Sequence, residues 1–164
     1  VNGEEHLKVN FIKIRSKYLG EIEIEGDQTV CFPQGLPAFE EERQFVIIPF
    51  AADSPFFYLQ AVNNEQLCFI LADIFTFFPA YEIELNDRDL QRLKINVGSE
   101  AYLNVFAVLT VPEICAETTA NLMAPVIINF DRQVGMQYIP RLLRYHSKYP
   151  LFEESILGPI QGVR

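Results

Sequence analysis

The sequence is poor in the residues that most often bind metals or form crosslinks. It has 3 cysteines and 2 histidines among 164 residues. The cysteines, Cys31, Cys68 and Cys115, are odd in number, far apart in the chain and set among apolar neighbours. We therefore expect buried free thiols in a reducing compartment, with neither a disulfide framework nor a metal site.

Long apolar runs and the common catalytic signatures are also missing. The apolar segments are short and interrupted, so no stretch predicts a membrane-spanning helix. Residues 1–10 are polar and charged and lack the apolar core of a signal peptide, so we expect a cytoplasmic protein with no membrane partner. The chain contains no glycine-rich phosphate loop, no Gly-x-Ser-x-Gly elbow and no His-Glu-x-x-His motif. The sequence thus predicts no catalytic residue and no cofactor.

Positive charge is in the minority. The chain has 13 Lys and Arg against 22 Asp and Glu, for a formal net charge of −9. This charge repels a phosphate backbone, so we expect no direct binding of nucleic acid. It favours the approach of a basic protein partner, although an acidic surface more often serves solubility alone. A small basic cluster near the C-terminus has no assigned role and comprises Arg141, Arg144, His146 and Lys148.

What the sequence does contain is a series of short segments typical of β-strands. A chain of this length suits one domain that buries a core without crosslinks. Alternating or continuous apolar residues predict strands at residues 11–14, 18–25, 29–32, 45–50, 56–62, 67–71, 82–85, 101–111, 126–130 and 136–139. We predict an all-β fold, a small closed antiparallel β-barrel-like domain with one short helix. Periodicity alone favours the barrel only slightly, because a sandwich produces the same alternation.

Three features refine this prediction. Asn86 is a candidate N-cap for the one helix, with Asp87 and Asp89 in its first turn. The alternation over residues 101–111 predicts the longest and central strand, and Pro125 is expected to separate residues 118–124 from the next strand. We predict a disordered extension at 1–10, a single domain at 11–152 and a C-terminal tail at 153–164.

A loop rich in proline and aromatic residues, at positions 32–40, separates two predicted strands. Pro33 and Pro37 each fix φ and remove a backbone donor, and Gly35 can adopt a positive φ. Phe32, Leu36 and Phe39 supply apolar anchors that would hold the loop against a core. A loop of this composition is more often a rigid structural corner than a binding site.

Several segments together resemble the bacterial flagellar assembly factor FliW family. They occur in the family's order: 18–24 (Tyr-Leu-Gly-Glu-Ile-Glu-Ile), the 32–40 loop, 53–56 (Asp-Ser-Pro-Phe) with 59–62 (Leu-Gln-Ala-Val), 77–82 (Phe-Phe-Pro-Ala-Tyr-Glu) and 119–129 (Thr-Ala-Asn-Leu-Met-Ala-Pro-Val-Ile-Ile-Asn). The resemblance covers about residues 12–152. The loop at 112–118 departs from the family pattern with an apolar Ile114-Cys115 pair.

The resemblance implies a regulator rather than an enzyme, with a small β-barrel-like domain. Such proteins bind newly made flagellin and, as an alternative partner, the RNA-binding translational repressor CsrA. Flagellin occupies the factor until it is exported, and the released factor then binds CsrA and relieves repression of flagellin translation. Flagellin synthesis is thereby coupled to flagellin export.

Two of the matching segments mix apolar anchors with polar groups, as small protein interfaces do. The candidate partner-binding residues are Phe78, Pro79, Tyr81, Glu82, Thr119, Asn121 and Leu122. The competing interpretation places Phe78 and Tyr81 in the core and assigns Asn121 to capping a turn.

A function of a different class is also compatible with these patterns. A closed sheet of this size can hold a ligand, so the chain could be a small-molecule-binding barrel or an unassigned enzyme. A deep, polar-lined interior would support that function, whereas an interior filled with Phe, Ile and Leu would count against it.

Overall fold

A computed structural model describes residues 8–96, 98, 101–142 and 144–152. Most of the predicted extension and all of the predicted tail lie outside the described residues. Asn10, assigned from the sequence to the extension, accepts a hydrogen bond of 2.7 Å from the backbone N–H of Gly26. The elements, in chain order, are β1 Phe11–Ser16, β2 Gly20–Glu25, β3 Thr29–Cys31, β4 Gln44–Pro49, β5 Phe56–Ala61, β6 Cys68–Asp73, α1 Ile74–Phe77, α2 Asp87–Arg92, β7 Asn104–Thr110, β8 Thr119–Asn129, β9 Val134–Gln137 and β10 Tyr149–Pro150.

Seven strands close into a barrel, as predicted. Strands β3 to β9 pair in chain order, and β9 returns to β3 through the pair Cys31 and Val134. That last pair is parallel, whereas every other pairing in the barrel is antiparallel. A closed ring of seven strands must contain a parallel pair, because strand directions cannot alternate all the way around a ring with an odd number of strands. The strand β10 adds to β8, and β1 pairs with β2 in a separate hairpin.

The barrel interior is filled with side chains. Residues directly paired across the ladder share a face, so Phe45 faces Ala61 and Leu71 faces Val108. These inward positions form one apolar cluster: Val30, Phe32, Leu36, Phe45, Leu59, Ala61, Leu67, Leu71, Phe106, Val126 and Ile128. Such an interior counts against a ligand-holding barrel, at least in the part of the chain described.

The outer face of the barrel is covered on two sides. On one side, the β1–β2 hairpin packs Ile14 and Ile24 against Val46 of β4. On the other side, the connection after β6 and the segment that leads into β10 cover β6, β7 and β8. That second outer cluster contains Ala72, Ile74, Phe78, Tyr81, Leu93, Val105, Ala107, Leu109, Ala120, Leu122, Ile127, Tyr149 and Leu151.

The 32–40 loop is packed against the barrel end. Phe32 and Leu36 are buried, and the backbone N–H of Phe32 donates to the carbonyl of Arg43 at 2.8 Å. Gly35 has φ +63°, and a Cβ at this position would stand 2.5 Å from Glu40 Cα. Only glycine fits there, because both the backbone conformation and the space exclude a side chain.

Two helices flank the segment that leads away from β6. The predicted helix is α2, where Asn86 Oδ1 accepts from the N–H of Asp89 at 2.9 Å. The helix α1 was not predicted, because four residues are too few to show helical periodicity. Its N-cap is Asp73, whose Oδ1 accepts from the N–H of Thr76 at 2.9 Å. The strand predicted at 82–85 is wrong, since these residues alternate in burial but pair with no strand in the described chain.

The longest strand is β8, with 11 residues, rather than β7, with 7. Pro125 does not end it, contrary to prediction. The register between β7 and β8 shifts between Phe106 and Val108, and this irregularity accommodates the proline. The side chain of Asn121 accepts from the N–H groups of Met123 and Ala124 at 3.0 and 3.2 Å, so it satisfies donors that the shifted ladder leaves unpaired.

The three cysteines are free thiols in different surroundings. Cys68 is buried, and burial raises the pKa of its thiol to about 11. Cys31 is half-buried and Cys115 is exposed, so the expectation that all three are buried is wrong. Cys115 lies in a 3-10 turn at Cys115–Glu117, where a short loop has no second layer to cover it. Among the described residues, neither helix approaches the length needed to cross a membrane.

Candidate functional site

The structure brings together the two segments that contain the candidate partner-binding residues. The Tyr81 hydroxyl donates a hydrogen bond of 2.9 Å to the carbonyl of Leu122, although the two residues are 41 positions apart in the chain. Phe78 and Leu122 belong to the same outer apolar cluster. The segment after α1 is therefore fixed directly on β8.

Three of the candidates lie in the core. Phe78 and Leu122 are 1% and 0% exposed, and Tyr81 is 6% exposed. Burial raises the pKa of the Tyr81 phenol well above its usual value, and the neighbouring Tyr145 adds to the shift. Tyr81 is therefore a neutral hydrogen-bond donor at physiological pH. These side chains occupy the places that the core interpretation assigns to them, and any role of theirs in partner binding stays a prediction.

The other four candidates reach the surface to different extents. Pro79 and Glu82 are exposed, whereas Thr119 and Asn121 are half-buried. The Asn121 side chain caps the irregularity in β8, as described above. Pro79 and Glu82 are thus the members best placed to touch a partner.

A groove of about 440 Å³ is lined by Tyr81 and Glu82 of the segment after α1. One wall is formed by residues between Tyr81 and Arg92, including α2, and the other by residues 138–142 with Arg144 and Tyr145. The groove is rich in charge, with four arginines and three carboxylates: Arg88, Arg92, Arg141, Arg144, Glu82, Glu84 and Asp89. Its lining also contains Ile139 and Leu142, which are 65% and 79% exposed.

The two walls are joined by polar contacts. The Tyr138 hydroxyl donates to the carbonyl of Glu84 at 2.6 Å, and the N–H of Glu82 donates to the Tyr145 hydroxyl at 3.0 Å. The Arg144 guanidinium lies 3.0 Å from the Glu82 carboxylate and 3.8 Å from that of Glu84. The groove is therefore a formed feature of the fold and does not depend on a ligand to bring its walls together.

A second cleft, of about 310 Å³, extends the groove toward the 32–40 loop. The two share Asp89, Arg92 and Ile139, so they form a continuous depression. Pro33 and Pro37 line the second cleft. The rigid loop predicted as a structural corner thus also borders the candidate site.

Sequence reasoning missed the groove arginines. Arg88 and Arg92 are spaced four residues apart on the one predicted helix, which places them on the same helix face. That spacing, together with Arg141 in the C-terminal basic cluster, is the sequence pattern that could have indicated a basic binding site. Only the folded structure shows that Arg88 and Arg92 lie across the groove from Arg141.

Sequence reasoning also missed a strip of partly exposed aromatic side chains on the barrel. The rings of Phe50 and Tyr58 stack with centroids 4.2 Å apart, and Tyr18 lies 5.9 Å from Tyr58. Phe50 and Tyr18 are 43% and 52% exposed. Outward positions of a strand are visible in the sequence, but which of them remain uncovered depends on the packing of β1 and β2.

The described residues offer no cluster of three or more His, Cys, Asp or Glu side chains suited to a metal ion. The chemistry of the groove is instead that of charged and apolar side chains around a formed depression, which suits the recognition of another molecule by contact.

Comparisons with known proteins agree on one family. The family model described as FliW protein matches residues 13–151. A flagellar assembly factor FliW from Syntrophomonas wolfei is 42% identical over 144 residues, covering 88% of this chain and 91% of that protein. One from Geobacillus sp. strain WCH70 is 43% identical over 145 residues, covering 88% of this chain and 99% of that protein.

A solved structure supports the same relationship. A crystal structure of the flagellar assembly factor FliW superposes with a TM-score of 0.80 at 42% identity. The match covers 87% of this chain and 99% of that chain. The overall fold of this chain is therefore shared with a relative of known structure.

Proposed function

Since this chain belongs to the FliW family of flagellar assembly factors, we propose that it binds flagellin and, as an alternative partner, the translational repressor CsrA. Binding of CsrA would antagonise repression, so that flagellin synthesis follows flagellin export. We place this exchange in the cytoplasm, where CsrA acts on messenger RNA. Family membership is the observation that carries the proposal.

The charge of the chain supports the CsrA arm of the proposal. A net charge of −9 attracts a basic RNA-binding protein and accelerates the encounter. The same charge disfavours direct binding to the RNA itself. The protein would therefore act on the repressor and not compete with it for the message.

The candidate residues suggest how a partner is contacted. Pro79 and Glu82 offer exposed groups, of which Glu82 lines the groove, and Thr119 and Asn121 offer partly exposed polar groups on β8. The buried residues Phe78, Tyr81 and Leu122 would contribute indirectly, by holding the segment after α1 and the strand β8 in position. The filled barrel interior gives no support to the alternative of a small-molecule-binding barrel or an enzyme.

Mutual exclusion of the two partners needs one of two physical arrangements. The partners either bind overlapping surfaces or select incompatible shapes of this protein. Overlap requires no movement of the barrel, whereas incompatible shapes would require one.

The contact residues can be tested by calorimetric titration of flagellin and of CsrA into the protein with Pro79→Ala and Glu82→Gln. We expect each variant to weaken binding of at least one partner by about two- to fivefold, the size of effect expected from an exposed contact. Glu41→Gln is the matched control, since Glu41 is also exposed but does not line the groove. Unchanged affinity in both variants would remove this surface from the interface.

A further inference from the structure

The groove of 440 Å³ has a charge unlike that of the rest of the protein. Four arginines line it against three carboxylates, whereas acidic residues outnumber basic ones 22 to 13 in the whole chain. Within the described residues, the carboxylates already have partners. Glu82 and Glu84 lie against Arg144, and Asp89 accepts from the N–H of Asn86 at 3.2 Å.

The remaining arginines have no such partner. Arg88, Arg92 and Arg141 are exposed and form no ion pair with any carboxylate in the described part of the chain. Arg88 and Arg92 project from α2, and Arg141 belongs to the opposite wall. Guanidinium groups on both walls can bind carboxylates of a ligand that lies between them, since each can donate two parallel hydrogen bonds.

Apolar side chains accompany these arginines. Ile139 and Leu142 are among the most exposed large apolar residues described, at 65% and 79%. Exposed aliphatic groups beside a groove mark a contact surface, because their burial by a ligand is favourable. A small free anion would leave them in water, whereas a longer ligand with apolar side chains would cover them.

The segment at 82–85 favours a peptide as that ligand. Its burial alternates as in a strand, yet it belongs to no sheet. The backbone groups of Ile83 and Leu85 form no hydrogen bond with another described residue. The backbone groups of Glu82 and Glu84 already pair with Tyr145 and Tyr138, so those of Ile83 and Leu85 lie on the opposite, unpaired edge of the segment. The main chain of a bound peptide can pair with such an edge as an added strand.

We propose that this groove binds an extended peptide segment of a protein, with acidic side chains recognised by Arg88, Arg92 and Arg141 and apolar side chains resting on Ile139 and Leu142. The inference goes beyond the proposed function, because it assigns a ligand chemistry to the groove and holds whichever protein carries the segment.

The test is fluorescence anisotropy with a labelled eight-residue peptide of alternating glutamate and leucine. We expect saturable binding that weakens by about two- to fivefold in each of Arg88→Gln, Arg92→Gln and Arg141→Gln. The matched control is Arg132→Gln, which removes the same charge at an exposed position outside the groove and should change the affinity by less than about twofold. Thermal unfolding of each variant checks that the fold is retained.

Four results would overturn the proposal. The first two are absence of binding and equal affinity for a peptide with glutamine in place of glutamate. The third is a loss of peptide affinity in Arg132→Gln equal to that in the groove variants. The fourth is displacement of the peptide by a short single-stranded RNA that binds more tightly. The last result would assign the arginines to a nucleic acid.

Discussion

The Tyr81 hydroxyl donates a hydrogen bond of 2.9 Å to the carbonyl of Leu122, and this bond joins the segment after α1 to the longest strand of the barrel. Both side chains are buried, so no water can replace the bond in the folded state. The surface residues Pro79 and Glu82 flank Tyr81 in the chain. The candidate interface therefore depends on a core contact for its position.

Removal of this hydroxyl should destabilise the protein. Tyr81→Phe keeps the ring but leaves the Leu122 carbonyl without its donor, so we expect a loss of about 1–2 kcal/mol in the free energy of unfolding. Denaturant titration measures this loss. Tyr102→Phe is the matched control, because Tyr102 is 87% exposed and should give no change. Equal stability of the two variants would contradict the core role of Tyr81.

The contact between β9 and the 32–40 loop is equally sensitive. A Cβ at Gly135 would stand 2.6 Å from Cζ of Phe32, a ring with no exposed surface. Gly135→Ala should therefore cost about 1–3 kcal/mol of unfolding free energy through overpacking. In a Phe32→Leu background the same change should cost less, because the shorter side chain leaves room. An identical cost in both backgrounds would show that the ring is not the obstacle.

Gln60 holds the turn between β5 and β6. Its Nε2 lies between 3.0 and 3.4 Å from four backbone carbonyls: those of Ala61, Asn64, Glu65 and Leu67. Gln60→Met removes the donor while keeping most of the volume, so we predict a loss of about 1–3 kcal/mol in denaturant unfolding. Gln66→Met is the exposed control in the same turn and should be neutral. Comparable losses in the two variants would argue against the special role of Gln60.

The thiols should differ in reactivity. Burial raises the pKa of Cys68 from 9.0 to about 11, against weaker lowering effects of Lys17 and Ser16. At pH 8 its alkylation should be about a hundredfold slower in the folded protein than in denaturant, since the thiolate is the reactive form. Cys115 is exposed and should react at a similar rate in both states. Mass spectrometry of the alkylated protein distinguishes the two sites.

The same shift in the pKa of Cys68 makes the free energy of unfolding depend on pH. The folded state disfavours the thiolate, so this group favours folding below pH 9, and the advantage is lost as the pH rises from 9 toward 11. The Cys68→Ala variant should lack this part of the pH dependence.

Fast alkylation of Cys68 in the folded protein would contradict its burial.

The strands could be predicted from the sequence because their apolar residues alternate or run continuously between turn residues. The helix at 87–92 was predictable for a similar reason, since Asn86 is a strong N-cap signal. Closure into a barrel was harder to predict, because it depends on the contact between Cys31 and Val134, more than a hundred residues apart.

Local patterns failed where the outcome depended on distant residues. Pro125 signals a strand end, but an irregularity opposite Ala107 and the side chain of Asn121 allow β8 to continue through it. The alternation at 82–85 is typical of a strand, yet no neighbouring strand is available within the described chain. Burial of Tyr81 likewise depends on β8, and Leu122 is its partner 41 residues later.

The exchange of partners is tested most directly by calorimetric titration of CsrA into this protein, first alone and then in the presence of saturating flagellin. The proposal predicts saturable binding of CsrA to the free protein and none to the protein occupied by flagellin. Binding of CsrA with the same affinity in both titrations, or no binding in either, would contradict it.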